Sequence, residues 1–446
     1  MKILKTYKFR LHPDKNTLSI LKQHGGNSRF LWNQLVDFSK KYNEKHKKFP
    51  TQSELQREII NIKSKNDFLK ISHSQPLQIN AQRLTKANFN SIKPEVIQER
   101  KLKIAKAKTP KQKVKALNLG FPKFKSKHEE RDSIFYPQNF KIRKSRIFVA
   151  KMGWIPFIKH RNIVGTPLTL TINQDGNQWY FSVTCELNLK EKPKKSIQDA
   201  NIVGIDVGTK TFATLSDNTQ IENPRNLDKH LKKLKREQKT LSRRKLVEKN
   251  LNNKKVKISS NNRIKQKNKV RTIHRKIRNI RTDFLHKTTR HMINKYDGFI
   301  LEKLNIKNML QEGSKNLNRN ICDVSWYEFG RQLEYKSLWY SKYFARTSKF
   351  SPTTKKCSQC GNLVDMELKD RTYDCPVCGN HMDRDFNASI NILNEGLSKL
   401  NTIGTMGIYA CGQSTVVDWV KQEKSLIGSN GLKPIVPSEA SAFRQG

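Results

Sequence analysis

At 446 residues the chain is too long for one ordinary hydrophobic core, so roughly two to four domains are expected. Hydrophobic residues reach only 35%, and 88 Lys and Arg against 38 Asp and Glu leave a net charge of +50. Such an excess repels itself in a compact state unless a polyanion neutralises it, and nucleic acid, bound through counterion release, is the first candidate. Anionic membrane is the rival. Against it, no apolar run of about 18 residues exists. The opening MKILKTYKFR also lacks the apolar core of a signal peptide. A soluble intracellular protein without membrane contact is expected.

Ile3, Leu4, Tyr7 and Phe9 alternate weakly and predict a strand over residues 2–10. From about 14 to 117 the pattern is helical and polar: Leu18, Leu21, Phe30, Leu31, Leu35 and Phe38 suit helix faces, and Gly25-Gly26 reads as a break. Further on, Leu77, Leu84 and Phe89 form only a thin apolar stripe, which suggests helices that complete their packing on a partner.

Near Phe121 the texture becomes β-rich. Short runs at 133–136, 146–149, 154–157, 168–171 and 179–183 predict strands of a small barrel or sandwich, with Asp175-Gly176-Asn177 as a hairpin turn. Residues 188–199 form a basic linker. Ile202 to Asp206 then reads as a buried strand ending in an acid, with Phe212 to Leu215 as its hairpin partner. Leu227, Leu231 and Leu234 mark the first arm of a long helical pair over about 226–296; Ile273, Ile277, Ile280 and Phe284 mark the second. Residues 229–290 hold 24 Lys or Arg against three acids, a net of +21. Gly298 to Glu302 is a second buried strand ending in an acid. Beyond about 402 the chain is rich in Gly, Ser and Pro and reads as a mobile tail.

Two constellations carry chemistry. Cys357, Cys360, Cys375 and Cys378 stand in the pattern C-x2-C, fourteen residues, C-x2-C, and Gly361 and Gly379 permit a tight turn after each pair. Four thiolates at this spacing suit one tetrahedral zinc ion and leave no open coordination position, so the ion is structural. The remaining cysteines, Cys185, Cys322 and Cys411, are scattered as buried free thiols would be in a reducing compartment. The second constellation is acidic: Asp206 and Glu302 end strands, and Asp383 and Asp385 stand where a loop enters the helix at Phe386–Leu393. Taken singly, each acid is as well explained by a surface position or, for Asp383 and Asp385, by a helix N-cap. Taken together, three carboxylates suit two hard divalent ions, Mg²⁺ or Mn²⁺, about 4 Å apart, as in phosphodiester hydrolysis.

The set Gly204-Ile205-Asp206-Val207-Gly208, Leu301-Glu302-Lys303-Leu304, the four cysteines and Asp383-Arg384-Asp385-Phe386-Asn387-Ala388-Ser389-Ile390-Asn391-Ile392 resembles the TnpB family. Those are transposon-encoded, RNA-guided DNA endonucleases with a RuvC-type RNase H fold, similar to the ancestors of type V CRISPR effectors. Weaker likenesses lie at Tyr7 to Leu11 with Arg29 to Asn33, at Phe121 to Lys125, at Leu333 to Lys336 with Trp339-Tyr340, and at Gln422-Glu423. The resemblance implies a multidomain α+β protein. A wedge-like small β-barrel would comprise 1–10 and 118–196, and a helical recognition domain 11–117. A RuvC-like α/β nuclease domain would comprise 200–355 and 380–402, with an inserted zinc ribbon at 356–379 and a mobile tail at 403–446. It makes Asp206, Glu302 and Asp385 the catalytic, magnesium-binding triad, with Asp383 as runner-up to Asp385. It makes Cys357, Cys360, Cys375 and Cys378 the zinc ligands. Lys303 and Ser389 depart from the usual family residues without removing a ligand.

The resemblance further implies a monomeric ribonucleoprotein that carries a guide RNA from the element end and cuts double-stranded target DNA beside a short motif, in a prokaryotic, nucleoid-associated cytoplasmic setting. Some relatives have lost the triad and act as RNA-guided repressors; all three acids are present here, so cutting is expected ahead of repression or a guide-free accessory role. The basic helical pair would line the nucleic-acid channel. Gln78, Asn80, Gln82 and Arg83 share one polar helical segment whose amides suit adenine edges, and Lys210 follows the first acidic strand; these are candidate nucleic-acid contacts. Trp154, Trp179 and Tyr180 are capable of stacking on bases, but barrel core suits them better.

Overall fold

The computed structural model describes residues 1–127, 130–189, 193–244, 246–251, 254–348, 351–367 and 370–405. Most of the tail expected at 403–446, with Cys411 and Gln422-Glu423, lies outside the described residues. The architecture is mixed α/β in two compact units, one built on residues 1–190 with 259–271, the other on the remainder. Among the described residues no helix is long and apolar enough to cross a membrane.

The first unit opens with β1 (Lys2–Leu11) and continues with α1 (Lys15–His46), α2 (Gln52–Ser64), α3 (Ser74–Ser91), α4 (Pro94–Ala105) and α5 (Pro110–Leu117). Six strands follow: β2 (Ser133–Tyr136), β3 (Phe140–Arg143), β4 (Arg146–Val149), β5 (Gly153–Ile158), β6 (Thr166–Asp175) and β7 (Gln178–Asn188). With β1 they form one seven-stranded antiparallel sheet in the order β2-β6-β7-β1-β5-β4-β3. Tyr7, Phe9, Ile134, Tyr136, Ile147, Val149, Ile155, Phe157 and Phe181, drawn from both halves of that order, share a single core, so the sheet curls over itself. Its end strands β2 and β3 are not paired with each other, which leaves the curl open. The β6–β7 turn falls where predicted, with Asp175 opposite Gln178.

Several expectations are corrected in this unit. The glycine pair does not break the first helix: α1 runs through it from Lys15 to His46. Gly25 is buried, and a Cβ there would meet the Asp132 Cβ at 2.8 Å, so the missing side chain admits Asp132 beside its ion-pair partner Arg29. Strand β3, whose Phe140 and Ile142 alternate over only four residues, was not anticipated. Trp154 is exposed, because β5 turns Ile155 and Phe157 inward and Trp154 outward, whereas Trp179 is buried as expected. Tyr180 is half-buried, with Lys8 Nζ 4.6 Å from its ring centre.

The second unit holds β8 (Ile202–Val207), β9 (Thr211–Leu215), β10 (Gln220–Glu222), α6 (Asn226–Arg243), β11 (Val247–Leu251) and β12 (Lys254–Ile258). There follow α7 (Asn261–Lys295, its first turns in the other unit), β13 (Gly298–Leu301), α8 (Ile306–Glu312), α9 (Lys315–Val324), α10 (Trp326–Trp339) and β14 (Tyr343–Arg346). The two short ribbon strands are β15 (Thr372–Asp374) and β16 (His381–Asp383), and α11 (Arg384–Thr405) closes the described chain. The predicted helical pair is α6 and α7, but the β11–β12 hairpin joining them was not foreseen.

The central sheet runs β10-β9-β8-β13-β14, with neighbours β8, β13 and β14 parallel, β9 antiparallel to β8, and β10 antiparallel to β9. Val203, Ile205, Phe299 and Leu301 pack one face against α7, α9 and α10. Ile202, Ile300 and Ala345 pack the other face against Ile392 and Leu400 of α11. Burial on both faces explains why these strands read as unbroken apolar runs.

Candidate active site and metal centre

Strand alternation puts Ile202, Gly204 and Asp206 of β8 on the face that α11 covers, and Gly298 and Ile300 follow the same face along β13, which ends one residue before Glu302. The strands are parallel with Gly204 opposite Ile300 and Ile205 opposite Leu301, so Glu302, the next residue, comes alongside Asp206. Two glycines bring α11 down onto this face. A Cβ on Gly204 would lie 2.2 Å from Ser389 O and 2.6 Å from Leu393 N, and one on Gly396 would lie 2.3 Å from Ile300 Cγ2. Asp385 sits one turn before Ser389, at the end of α11 nearest the two acidic strand ends.

Electrostatics registers the convergence. Burial raises the Asp206 carboxyl from 3.8 to about 7, and the negative charges of Asp385 and Glu302 add to the rise; Arg384 opposes it. Its edge still reaches solvent. Burial also raises Glu302, with Glu395 contributing. Crowded, incompletely neutralised carboxylates are the donor set that a hard divalent cation relieves. They are spread more widely than the cysteines: among the described residues, only the four thiols form a set of three or more ligand atoms within 4.8 Å of one another. Asp383 does a different job. Its Oδ1 accepts from the N–H groups of Asp385 at 2.9 Å and Phe386 at 3.0 Å, which makes it the N-cap of α11.

The four thiols are already assembled. Cys357 and Cys378 Sγ atoms are 3.6 Å apart and those of Cys360 and Cys375 3.5 Å apart. Tetrahedral zinc with bonds of about 2.3 Å sets sulfurs about 3.8 Å apart, so the cluster fits one structural zinc ion. The two knuckles repeat one construction. Cys357 N donates to Asn362 O and Gly361 N to Cys357 O; Cys375 N donates to Asn380 O and Gly379 N to Cys375 O. Both turns need a positive φ, 80° at Gly361 and 70° at Gly379, which glycine adopts without strain. Of the other two described cysteines, Cys185 is buried as expected, whereas Cys322 is exposed.

The candidate nucleic-acid contacts separate. Gln78 and Gln82 are exposed one turn apart on α3. Arg83 is half-buried, 5.1 Å over the Phe135 ring. Asn80 is only 2% exposed and donates inward to Ser28 Oγ at 3.3 Å, so it supports the helix packing and does not face a ligand. Lys210 is exposed and belongs to the other unit. Sequence reasoning gave no role to Arg384, Arg371 or Glu395. Arg384 Nη2 lies 3.2 Å and Arg371 Nη1 3.9 Å from the Asp385 carboxylate. Glu395 accepts from Ser348 N at 2.6 Å and Lys399 Nζ at 2.7 Å. The basic residue inside the Asp383-Arg384-Asp385 triplet was the one available signal.

The fold is mixed α/β with a four-cysteine ribbon, and comparison with known proteins names the family. Family models match residues 183–312 ("Probable transposase"), 326–392 ("Cas12f1-like, TNB domain") and 1–48 ("Helix-turn-helix domain"). The last segment is here a strand and one unbroken helix, β1 and α1. The chain is 30% identical over 431 residues to "Putative RNA-guided DNA endonuclease InsQ" of Escherichia coli (strain K12), covering 93% of this chain and 95% of that protein. It is 31% identical over 284 residues to "Putative RNA-guided DNA endonuclease" of Streptomyces pristinaespiralis, covering 62% of this chain and 66% of that one. Similarity to the solved structure of CasPhi-2 (Cas12j) bound to crRNA spans 88% of this chain and 98% of that chain, but at 10% identity and a TM-score of 0.41 it is too distant to bear on function. The chain belongs to the TnpB family.

Proposed function

We propose that the chain is an RNA-guided DNA endonuclease in which Asp206, Glu302 and Asp385 hold two Mg²⁺ or Mn²⁺ ions. The observation that carries the reading is that the charges of Glu302, at the end of β13, and Asp385, in the first turn of α11, both reach the buried Asp206 carboxyl of β8 and add to the rise that burial gives it. The sheet order β10-β9-β8-β13-β14, with its three parallel strands, supports an RNase H-like nuclease core. The full-length relative named as an RNA-guided DNA endonuclease supports the guide RNA and the DNA substrate. When bound, the ions supply an activated water and stabilise the leaving oxygen of the phosphodiester.

The chain's own residues do the rest. Asp206 and Glu302 present their carboxylates from rigid strand ends, which fixes their separation. Arg384, hydrogen-bonded to Asp385, partly screens the crowded charge until cations arrive. Basic residues of the α6–α7 region, net +21 over 229–290, grip phosphates along a guide and its target without reading sequence. In this reading the first unit supplies the wedge-like sheet and the helical recognition region, with Gln78, Gln82 and Arg83 towards the duplex beside the target. The particle is a monomeric ribonucleoprotein.

The test is plasmid cleavage by the purified ribonucleoprotein in Mg²⁺, with the copurifying RNA sequenced to define the guide. Wild type linearises a guide-matched plasmid, and Asp206→Ala and Asp385→Ala each lower the rate at least about a thousandfold while RNA content is unchanged. Full cleavage by either variant removes the triad from the mechanism. Guide-dependent binding by wild type without nicking makes the protein a repressor.

A further inference from the structure

Helix α11 serves both metal sites. Asp385 lies in its first turn, and two residues later Asn387 is fully buried. The Asn387 amide spans the first zinc ligand: Nδ2 donates to Lys356 O at 2.8 Å and Oδ1 accepts from Ser358 N at 3.0 Å, gripping the peptide groups on either side of Cys357. One turn further, Asn391 is 7% exposed and donates Nδ2 to Lys356 O at 2.6 Å and to Thr353 O at 2.9 Å. Asparagine is a poor helix former, and a buried amide is costly without partners. Two of them at i and i+4 in one helix therefore need a reason, and the knuckle backbone is that reason. Between them, Ser389 O meets Gly204 of β8. The helix is thus held by ribbon backbone at the asparagines and by sheet backbone at Gly204.

We infer that Asn387 and Asn391 are positioning residues that couple the zinc ribbon to the acidic site. A knuckle closed on its metal fixes the backbone from Thr353 to Ser358. The two amides transmit that position to α11, and α11 carries Asp385 to Asp206 and Glu302. The inference rests on the reading above that Asp385 holds a divalent ion. Coupling of this kind is reciprocal: order at one site favours order at the other by the same factor.

The experiment uses the full-length ribonucleoprotein with Mn²⁺ as the probe. Zinc release to a chromogenic chelator is timed with and without Mn²⁺, and Mn²⁺ binding is followed by electron paramagnetic resonance. In wild type, Mn²⁺ slows zinc release by about fivefold or more. In Asn387→Ala/Asn391→Ala the zinc content stays at the wild-type level, Mn²⁺ affinity drops by about tenfold and the slowing disappears. A merely structural pair of amides would change the melting temperature but leave the response of zinc release to Mn²⁺ intact. If the double variant does not fold, the wild-type measurement decides: a zinc-release rate indifferent to bound Mn²⁺ overturns the coupling. Mn²⁺ binding that is lost in Asp206→Ala, yet without effect on zinc release, overturns the coupling alone. Mn²⁺ binding that is absent, or unaffected by Asp206→Ala, overturns the acidic-site reading and the coupling with it.

Discussion

The two candidate metal centres of the second unit are built on opposite plans. The ribbon takes its four thiols from two short knuckles that repeat the same hydrogen bonds, so each half is defined by a few consecutive residues and the sulfurs stand ready at 3.5–3.6 Å within each cross-pair. The acidic site takes one carboxylate from each of three elements far apart in sequence and is assembled by packing: β13 beside β8, α11 across both. The ribbon is soft, closed and structural; the acidic site is hard, crowded and open to solvent at its edge. One site can be disturbed at its ligands, the other at contacts that bear no charge.

That contrast is broken most sharply at Gly204. A methyl group there meets backbone atoms of α11 at 2.2 and 2.6 Å, and backbone cannot rotate away as a side chain would. Gly204→Ala should cost about 3 kcal/mol or more and lift α11 from the sheet. Cleavage and Mn²⁺ affinity should fall together while zinc content, measured by metal analysis, stays at the wild-type level. Gly396→Ala is the control: its clash is with the Ile300 side chain, so a smaller loss is expected. Wild-type Mn²⁺ affinity in Gly204→Ala would show that the packing of α11 does not set the acidic site.

A second, smaller effect lies in the charge of the acidic site. The folded chain keeps a proton on Asp206 up to about pH 7, whereas the unfolded chain loses it near 3.8. The folded state therefore binds more protons across this window, and without divalent ions stability falls as pH rises from about 4 to about 7, levelling off above. Asp206→Asn removes the penalty and should stabilise the metal-free protein by about 1–3 kcal/mol at pH 8, read by denaturant titration, while abolishing cleavage. With Mn²⁺ present the order should reverse, since the ion stabilises only the chain that binds it. A variant no more stable than wild type at pH 8 would mean that the ionised Asp206 carboxylate carries no penalty from burial or from its acidic neighbours.

The two plans also decide what was legible in the sequence. The knuckles could be read because spacing, thiols and the turn glycines lie in one short segment. The acids could be read as strand ends because β8 and β13 are apolar runs that stop at Asp206 and Glu302, but their convergence depends on a sheet order that no local pattern encodes. The glycine pair in α1 misled because glycine has two uses, breaking a helix and admitting a neighbour, and only the position of Asp132 distinguishes them. Asn80 misled likewise: an amide in a polar helical segment looks solvent-facing until Ser28 of α1 is seen beneath it. The β11–β12 hairpin was hidden by its basic composition, in which Lys and Asn outnumber the apolar positions that would mark strands.

The smallest predicted effect separates the two aspartates that the sequence left side by side. Asp383 spends one oxygen on the N–H groups of Asp385 and Phe386, whereas Asp385 lies near enough to Asp206 to raise its carboxyl. Asp383→Ala should therefore cost about 1 kcal/mol, the usual worth of an N-cap, and Asp383→Asn less, since its amide oxygen still accepts. Neither should lower cleavage in saturating Mg²⁺ by more than about tenfold, because the helix is held further along by Gly204 and by the buried asparagines. Asp385→Asn should do the reverse: it leaves the cap intact and stability unchanged or higher, yet abolishes cleavage. The check is a pair of measurements on each variant, unfolding midpoint and cleavage rate. Loss of cleavage in Asp383→Asn, with Asp385→Asn still active, would exchange the two roles and move the third carboxylate of the site from the first turn of α11 to the last residue of β16.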